Sequence, residues 1–189
     1  MDEQTVKAVR EASVAAHEYL LQQGMASVPV LNCYRKGQAI GYVRLRPVEK
    51  GPDAMAAIEE LGVLAAGAEA DEVVVVWESQ ALAAATEQSA DYAGTCLCLA
   101  HATRDGDTLV YRLPYRAHTA EEGTDFFRPF VQPEWLVEPE PELDPALPQP
   151  IDDAVHMSFA PWEGHPNPGL AAVCAHLERQ YFLVSLVNA

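Results

Sequence analysis

The most constraining feature of this sequence is the apolar run Val73 to Trp77, VVVVW, which directly follows Asp71 and Glu72. An apolar run as long as a strand has no polar side to turn toward water, so it is typical of a central strand covered on both faces. The fold must therefore supply elements above and below one sheet. The 189 residues are enough for a single domain, residues 1–189, with its own core.

The segments around this run predict an α/β (α+β) fold, with a single mixed sheet of about six strands and helices packed on it. The spacing of apolar residues and of turn residues predicts helices over 3–23, 50–70 and 167–180, and strands over 27–34, 39–46, 71–77, 94–102, 109–118 and 181–187. Because a helix separates the second and third strands, a right-handed crossover predicts that those two strands run parallel.

One long segment does not fit this pattern. Residues 117–153 contain ten acids and one base, Arg128, and seven prolines lie between residues 129 and 150. Such a composition is typical of a disordered tail, but a helix and a strand are predicted to follow it. The segment also carries aromatic residues, which a solvated linker does not need: Phe126, Phe127, Phe130 and Trp135. We expect an acidic, proline-rich extended arm, partly polyproline II, held by those aromatics against the body or a partner subunit.

The charge of the chain limits its partners. Twelve bases against 28 acids give a net charge of −16, which argues against binding to nucleic acid or to an anionic membrane surface. No apolar stretch is long enough to span a bilayer, and the first residues lack the order of a signal peptide. We therefore expect a soluble cytoplasmic protein whose four cysteines are free thiols.

Most catalytic motifs are absent from the sequence. There is no G-x-S-x-G nucleophile turn, no P-loop and no dinucleotide-binding glycine motif. Cys96 and Cys98 share one face of a predicted strand, but no second pair completes a four-cysteine metal site. Nothing around Cys33 resembles the surroundings of a catalytic cysteine, and Asp105–Gly106 is typical of a hairpin turn rather than of a calcium loop. No catalytic residue is assigned from these patterns.

One alternative is a metal-dependent hydrolase. His118, His156 and His165 lie in or near a carboxylate-rich segment, and together they could hold a divalent metal. A bound metal would lower the pKa of a water molecule, and Glu163 would be the candidate general base. This hypothesis requires the segment 118–165 to fold back on itself so that the four side chains converge.

The leading hypothesis is a non-catalytic binding or assembly module without a cofactor. The aromatics of the arm would contact a protein partner or a second copy of the chain, giving a homodimer. Arg44 and Arg46 belong to the only local positive patch and lie on one face of a predicted strand. They would pair with the acidic arm, within the molecule or between subunits.

Overall fold

The computed structural model describes residues 1–90, 92–119, 131–162 and 166–187. These residues form an α+β fold built on one antiparallel sheet of eight strands, two more than the sequence predicts. The helices are α1 (Glu3–Gln22), α2 (Pro52–Glu60), α3 (Gly62–Gly67), α4 (Ser79–Thr86), α5 (Gln149–Phe159) and α6 (Leu170–Arg179). The strands are β1 (Val30–Arg35), β2 (Gln38–Arg44), β3 (Glu72–Glu78), β4 (Cys96–Thr103), β5 (Thr108–Thr119), β6 (Val131–Trp135), β7 (Glu142–Leu143) and β8 (Leu183–Leu186).

The valine run forms the centre of the sheet, as its composition predicts. The strand order is β6-β5-β4-β3-β1-β2-β8, with β7 paired beside β6 on the outer side of β5. Every residue of β3 is buried, and Trp77 is fully enclosed. The predicted central strand covered on both faces is therefore confirmed.

The prediction of a mixed sheet is wrong, although β2 and β3 do run in the same direction. β2 and β3 each pair with β1 in antiparallel register, so they run in the same direction, as the crossover through α2 and α3 requires. They are not neighbours, because β1 lies between them. All the strand pairings in the described sheet are antiparallel.

The two faces of the sheet are covered unequally. Helices α2 to α6 supply side chains to the larger core, which includes Ile58, Leu64 and Ile151. On the opposite face α1 packs on β4 and β6, and its Val9 and Val14 contact a smaller apolar cluster. On that face α1 leaves the half of the sheet formed by β1, β2 and β8 more open.

The predicted proline-rich arm is not evident in the described residues. Residues 131–135 form the edge strand β6, residues 142–143 form β7, and residues 149–159 form a helix. Pro133 is compatible with β6 because an edge strand needs no donor on its outer side, and Pro150 lies in the first turn of α5, where its missing N–H costs nothing. Two of the seven prolines that suggest an extended arm thus lie at positions that regular structure tolerates.

Candidate functional site

The outer edge of strand β8 is the strongest candidate for an interaction site. β8 joins the sheet through β2, with Tyr42 opposite Ser185 and Gly41 opposite Leu186. A Cβ atom on Gly41 would lie 2.4 Å from the carbonyl oxygen of Ser185, so only glycine lets β8 approach this closely. Position 41 therefore fixes how β8 attaches to the sheet.

The backbone of β8 has unused hydrogen-bonding groups. The N–H of Val187 donates to the carbonyl oxygen of Ile40 at 2.9 Å, which means that alternate residues, Ser185 and Leu183, also turn toward β2. The N–H and C=O groups of Val184 and Leu186 then point away from the sheet. Among the residues that the structure describes, no strand pairs with that side.

The side chains at this edge are apolar and exposed. Tyr181 is 83% exposed, Leu183 55%, Leu186 43% and Val187 56%. No residue from 180 to 187 is an acid or a base, although the whole chain has 28 acids. Natural edge strands usually carry charges, prolines or bulges that prevent pairing with another chain, and β8 has none of these.

The opposite edge strand, β6, carries both a proline and a charge. The N–H of Leu136 donates to the carbonyl oxygen of Pro114, so Glu134 turns toward β5 and Pro133 turns outward. Pro133 has no N–H to offer a further strand. The side chain of Glu134 adds an exposed charge, and its Oε2 lies 2.8 Å from Nε2 of His118.

Trp135 anchors β6 to helix α1. Its indole N–H donates to Glu18 Oε1 at 2.6 Å, and its ring lies 5.3 Å from that of Tyr115 and 6.0 Å from that of His17, centre to centre. Burial raises the pKa of Tyr115 and lowers the pKa of His17 to about 4. Of the four aromatics named for the arm, Trp135 lies within the described residues and contacts the body of its own chain.

The other three aromatics, Phe126, Phe127 and Phe130, lie outside the described residues, as do Glu163 and His165 of the metal hypothesis. His118 contacts Glu134 on the β6 edge, and this hydrogen bond lowers the pKa of Glu134. His156 is exposed on α5, with Nδ1 2.9 Å from the carbonyl oxygen of Asp152.

The described residues do not assemble a metal-binding group. Within ranges 1–90, 92–119, 131–162 and 166–187, no three His, Cys, Asp or Glu side chains are close enough to hold an ion. The metal hypothesis depends on Glu163 and His165 and stays a prediction.

The two candidate arginines have different surroundings. Arg46 donates to both carboxylate oxygens of Asp53, at 2.5 and 3.1 Å, and its guanidinium lies over the Phe182 ring. This bond is the main cause that lowers the pKa of Asp53. Arg44 is half-buried and has no ion pair within the described residues. Within the described residues the carboxylate partner of Arg46 is thus Asp53, in the first turn of α2, and pairing of the two arginines with the acidic arm stays a prediction.

The cysteines take no part in the described surface chemistry. Cys96 and Cys98 are buried in the core. Burial raises the pKa of the Cys33 thiol to about 12, so Cys33 is protonated at neutral pH and is a poor nucleophile.

Sequence reasoning predicted β8 as a strand but did not identify it as an edge. The missed signal is the uncharged run from Gln180 to Val187, which is unusual in a chain of net charge −16. A central strand such as β3 has the same kind of composition, so the signal identifies an open edge only once the strand order is known.

Comparison of the chain with protein-family models, curated proteins and solved structures gives no match. In the described part of the chain, no helix combines the length and apolarity needed to cross a membrane.

Proposed function

We propose that this protein is a non-catalytic assembly module that pairs with a second copy of itself along strand β8. The observation that carries the proposal is an edge strand with free backbone groups, exposed apolar side chains and no charge. Strand addition at such an edge supplies main-chain hydrogen bonds, while the side chains set the register. The proposed surface is β8, and it does not depend on the residues named for the arm.

A two-fold axis at Ser185 gives the most complete pairing. Ser185 then faces its own copy, and Val184 faces Leu186 of the partner subunit, so that their outward N–H and C=O groups exchange hydrogen bonds. In the same register Leu183 faces Val187 across the axis. All four exposed or half-exposed apolar side chains of the strand are paired with one another.

The charge distribution favours a second copy over a charged partner. Two chains of net charge −16 repel each other over most of their surfaces. The segment 180–187 is free of acids, so this edge allows approach with little like-charge contact. An uncharged strand also lacks the charged side chains that would select a basic partner.

The test is the mass of the protein in solution over a wide concentration range, by analytical ultracentrifugation. We expect a dimer, and we expect Leu186→Lys to raise its dissociation constant on the order of 100-fold, because a lysine blocks edge pairing. The matched control is Leu143→Lys, since Leu143 is an exposed leucine of β7 at the other end of the sheet. A wild-type monomer at all concentrations, or equal effects of the two lysines, would refute the proposal.

Point substitutions are preferable to deletion of the acidic segment. Removing residues 125–150 would also remove β6, β7 and the first two residues of α5. A change of mass in such a variant would not distinguish a lost interface from a damaged sheet.

A further inference from the structure

A cleft lies between helix α1 and the part of the sheet that α1 leaves open. Its cavity has a volume of about 420 Å³, within the range of about 300–1,000 Å³ that is usual for small-molecule sites. Strands β1 and β2 supply the wall opposite the helix, and Leu183 of β8 lies at one side. The cleft is distinct from the outer backbone edge of β8.

The lining of the cleft is mostly apolar. Val30, Val76 and Leu97 of the sheet face Val9 and Leu20 of α1. None of the lining residues that the structure describes is Asp or Glu, although the chain contains 28 such residues. This wall therefore favours an apolar body and does not repel an anion.

Among the described residues of the lining, Arg44 is the one permanently charged side chain. Four of the other arginines have carboxylate partners: Arg10 with Glu138, Arg35 with Glu69, Arg46 with Asp53 and Arg112 with Glu142. Arg44 has none among the described residues, and it is half-buried beside apolar walls. A cation in such a place attracts an anion strongly, because low-dielectric walls concentrate its field.

A second polar group lies in the same lining. His17 is 1% exposed, and its Nδ1 is 2.6 Å from Ser27 Oγ. Its Nε2 is buried and has no hydrogen-bond partner in the described chain. This nitrogen exposes almost no surface, and the ring packs 5.0 Å from that of Tyr115, centre to centre, so His17 is given no contact with a ligand.

We propose that this cleft binds a small monocarboxylate with an apolar body. The carboxylate pairs with the guanidinium of Arg44, whose planar donors match two carboxylate oxygens. The apolar body lies along Val9, Leu20 and Val30, which line the cleft and are partly exposed. One arginine neutralises one negative charge, so a singly charged ligand suits the site better than a polyphosphate.

The probes are octanoate, 1-octanol and acetate, and binding is measured by isothermal titration calorimetry. We expect octanoate to bind saturably, one molecule per chain. Octanol lacks the charge and acetate lacks the apolar body, so each should bind at least about tenfold more weakly, which corresponds to about 1.4 kcal/mol.

Two matched pairs of variants test the location. Arg44→Gln should weaken octanoate binding at least about tenfold, whereas Arg35→Gln, which removes the same charge from the ion pair with Glu69, should not. Ala16 lines the cleft and its neighbour Ala15 does not, so Ala16→Trp should abolish binding while Ala15→Trp leaves it intact. The second pair keeps Arg44 in place, and thermal melting checks that each variant is folded.

Absence of saturable octanoate binding by folded wild-type protein would overturn the proposal. So would equal affinities within either matched pair. The titration is repeated with Leu186→Lys, whose substituted residue is outside the cleft lining. Octanoate binding by that variant would show that the cleft binds its ligand whether or not the β8 dimer forms.

Discussion

The two edge strands are both short, but they differ in charge, proline content and the exposure of apolar side chains. β6 has Pro133 in its outward row, carries the charged Glu134 and is tied to α1 through Trp135. β8 has an intact outward row at Val184 and Leu186, with no charge along it. The same sheet therefore has one edge that blocks a further strand and one edge that is open to it.

This difference shows why the open edge is worth attention. An unprotected edge strand risks aggregation. Because the other edge of the same sheet is blocked, the open edge at β8 favours a role in binding over chance. The blocked edge also shows that the chain tolerates the residues that prevent pairing. The comparison can be tested with substitutions that weaken the attachment of each edge strand separately.

The largest expected effect comes from Gly41→Ala. The added Cβ would lie 2.4 Å from the carbonyl oxygen of Ser185, so β8 must move away from β2. We expect unfolding free energy to fall by about 3 kcal/mol, the upper end for overpacking, with faster hydrogen exchange at Val187. The control is Gly94→Ala, whose Cβ would have its nearest neighbour at 3.6 Å and should cost little. Equal stabilities measured by urea unfolding would contradict this role of Gly41.

The next effect concerns the β6 side and depends on pH. Burial lowers the pKa of His17 from 6.5 to about 4 in the folded protein, so between these values the unfolded chain binds more protons. Stability from His17 is thus complete above pH 6.5 and decreases as pH falls toward 4. At pH 5 the loss should be about 2 kcal/mol.

Urea unfolding at pH 7.5 and pH 5 measures this loss, and His17→Gln serves as the reference because it cannot titrate. We expect the variant to lose about 2 kcal/mol less than wild type over this interval. Dimer affinity should change little, since no side chain from Phe182 to Val187 titrates. The same decrease in both proteins would show that His17 is not its source.

The smallest expected effect is that of Trp135→Phe. The substitution keeps an aromatic ring beside Tyr115 but removes the donor to Glu18. A hydrogen bond to a charged group at a partly exposed position should be worth about 1 kcal/mol. Trp162→Phe is the control, because its indole N–H lies 3.4 Å from its acceptor, the carbonyl oxygen of Ala66. If Trp162→Phe lowers the free energy of unfolding as much as Trp135→Phe does, the hydrogen bond to Glu18 makes no specific contribution to stability.

Sequence patterns predicted the elements with strong local signals. The valine run became the buried centre of the sheet, and the apolar stripe of residues 3–23 became α1. The hairpin around Asp105–Gly106 joins β4 and β5. These predictions held because periodicity and turn residues act within a few positions of each other.

The errors concern segments whose local signals are weak or misleading. Proline content masked β6, because a proline is excluded from the middle of a sheet but not from the outward row of its edge. The helix α5 begins at Gln149–Pro150 within the same acidic stretch, where composition suggested an extended chain. The helices that pack on α5, α2 and α3, lie far away in sequence, and β6 pairs with β5 across the intervening residues 120–130.

The amino-acid sequence alone determined the α+β class, the central strand, the net charge of −16 and the absence of charge from residue 180 to residue 187. Only the tertiary structure decided that β8 lies at an open edge, that Arg44 lies in an acid-free cleft and that Arg46 pairs with Asp53. The physical reason is that composition and periodicity are local, whereas strand order and the partners of a charge depend on residues brought together by the whole chain.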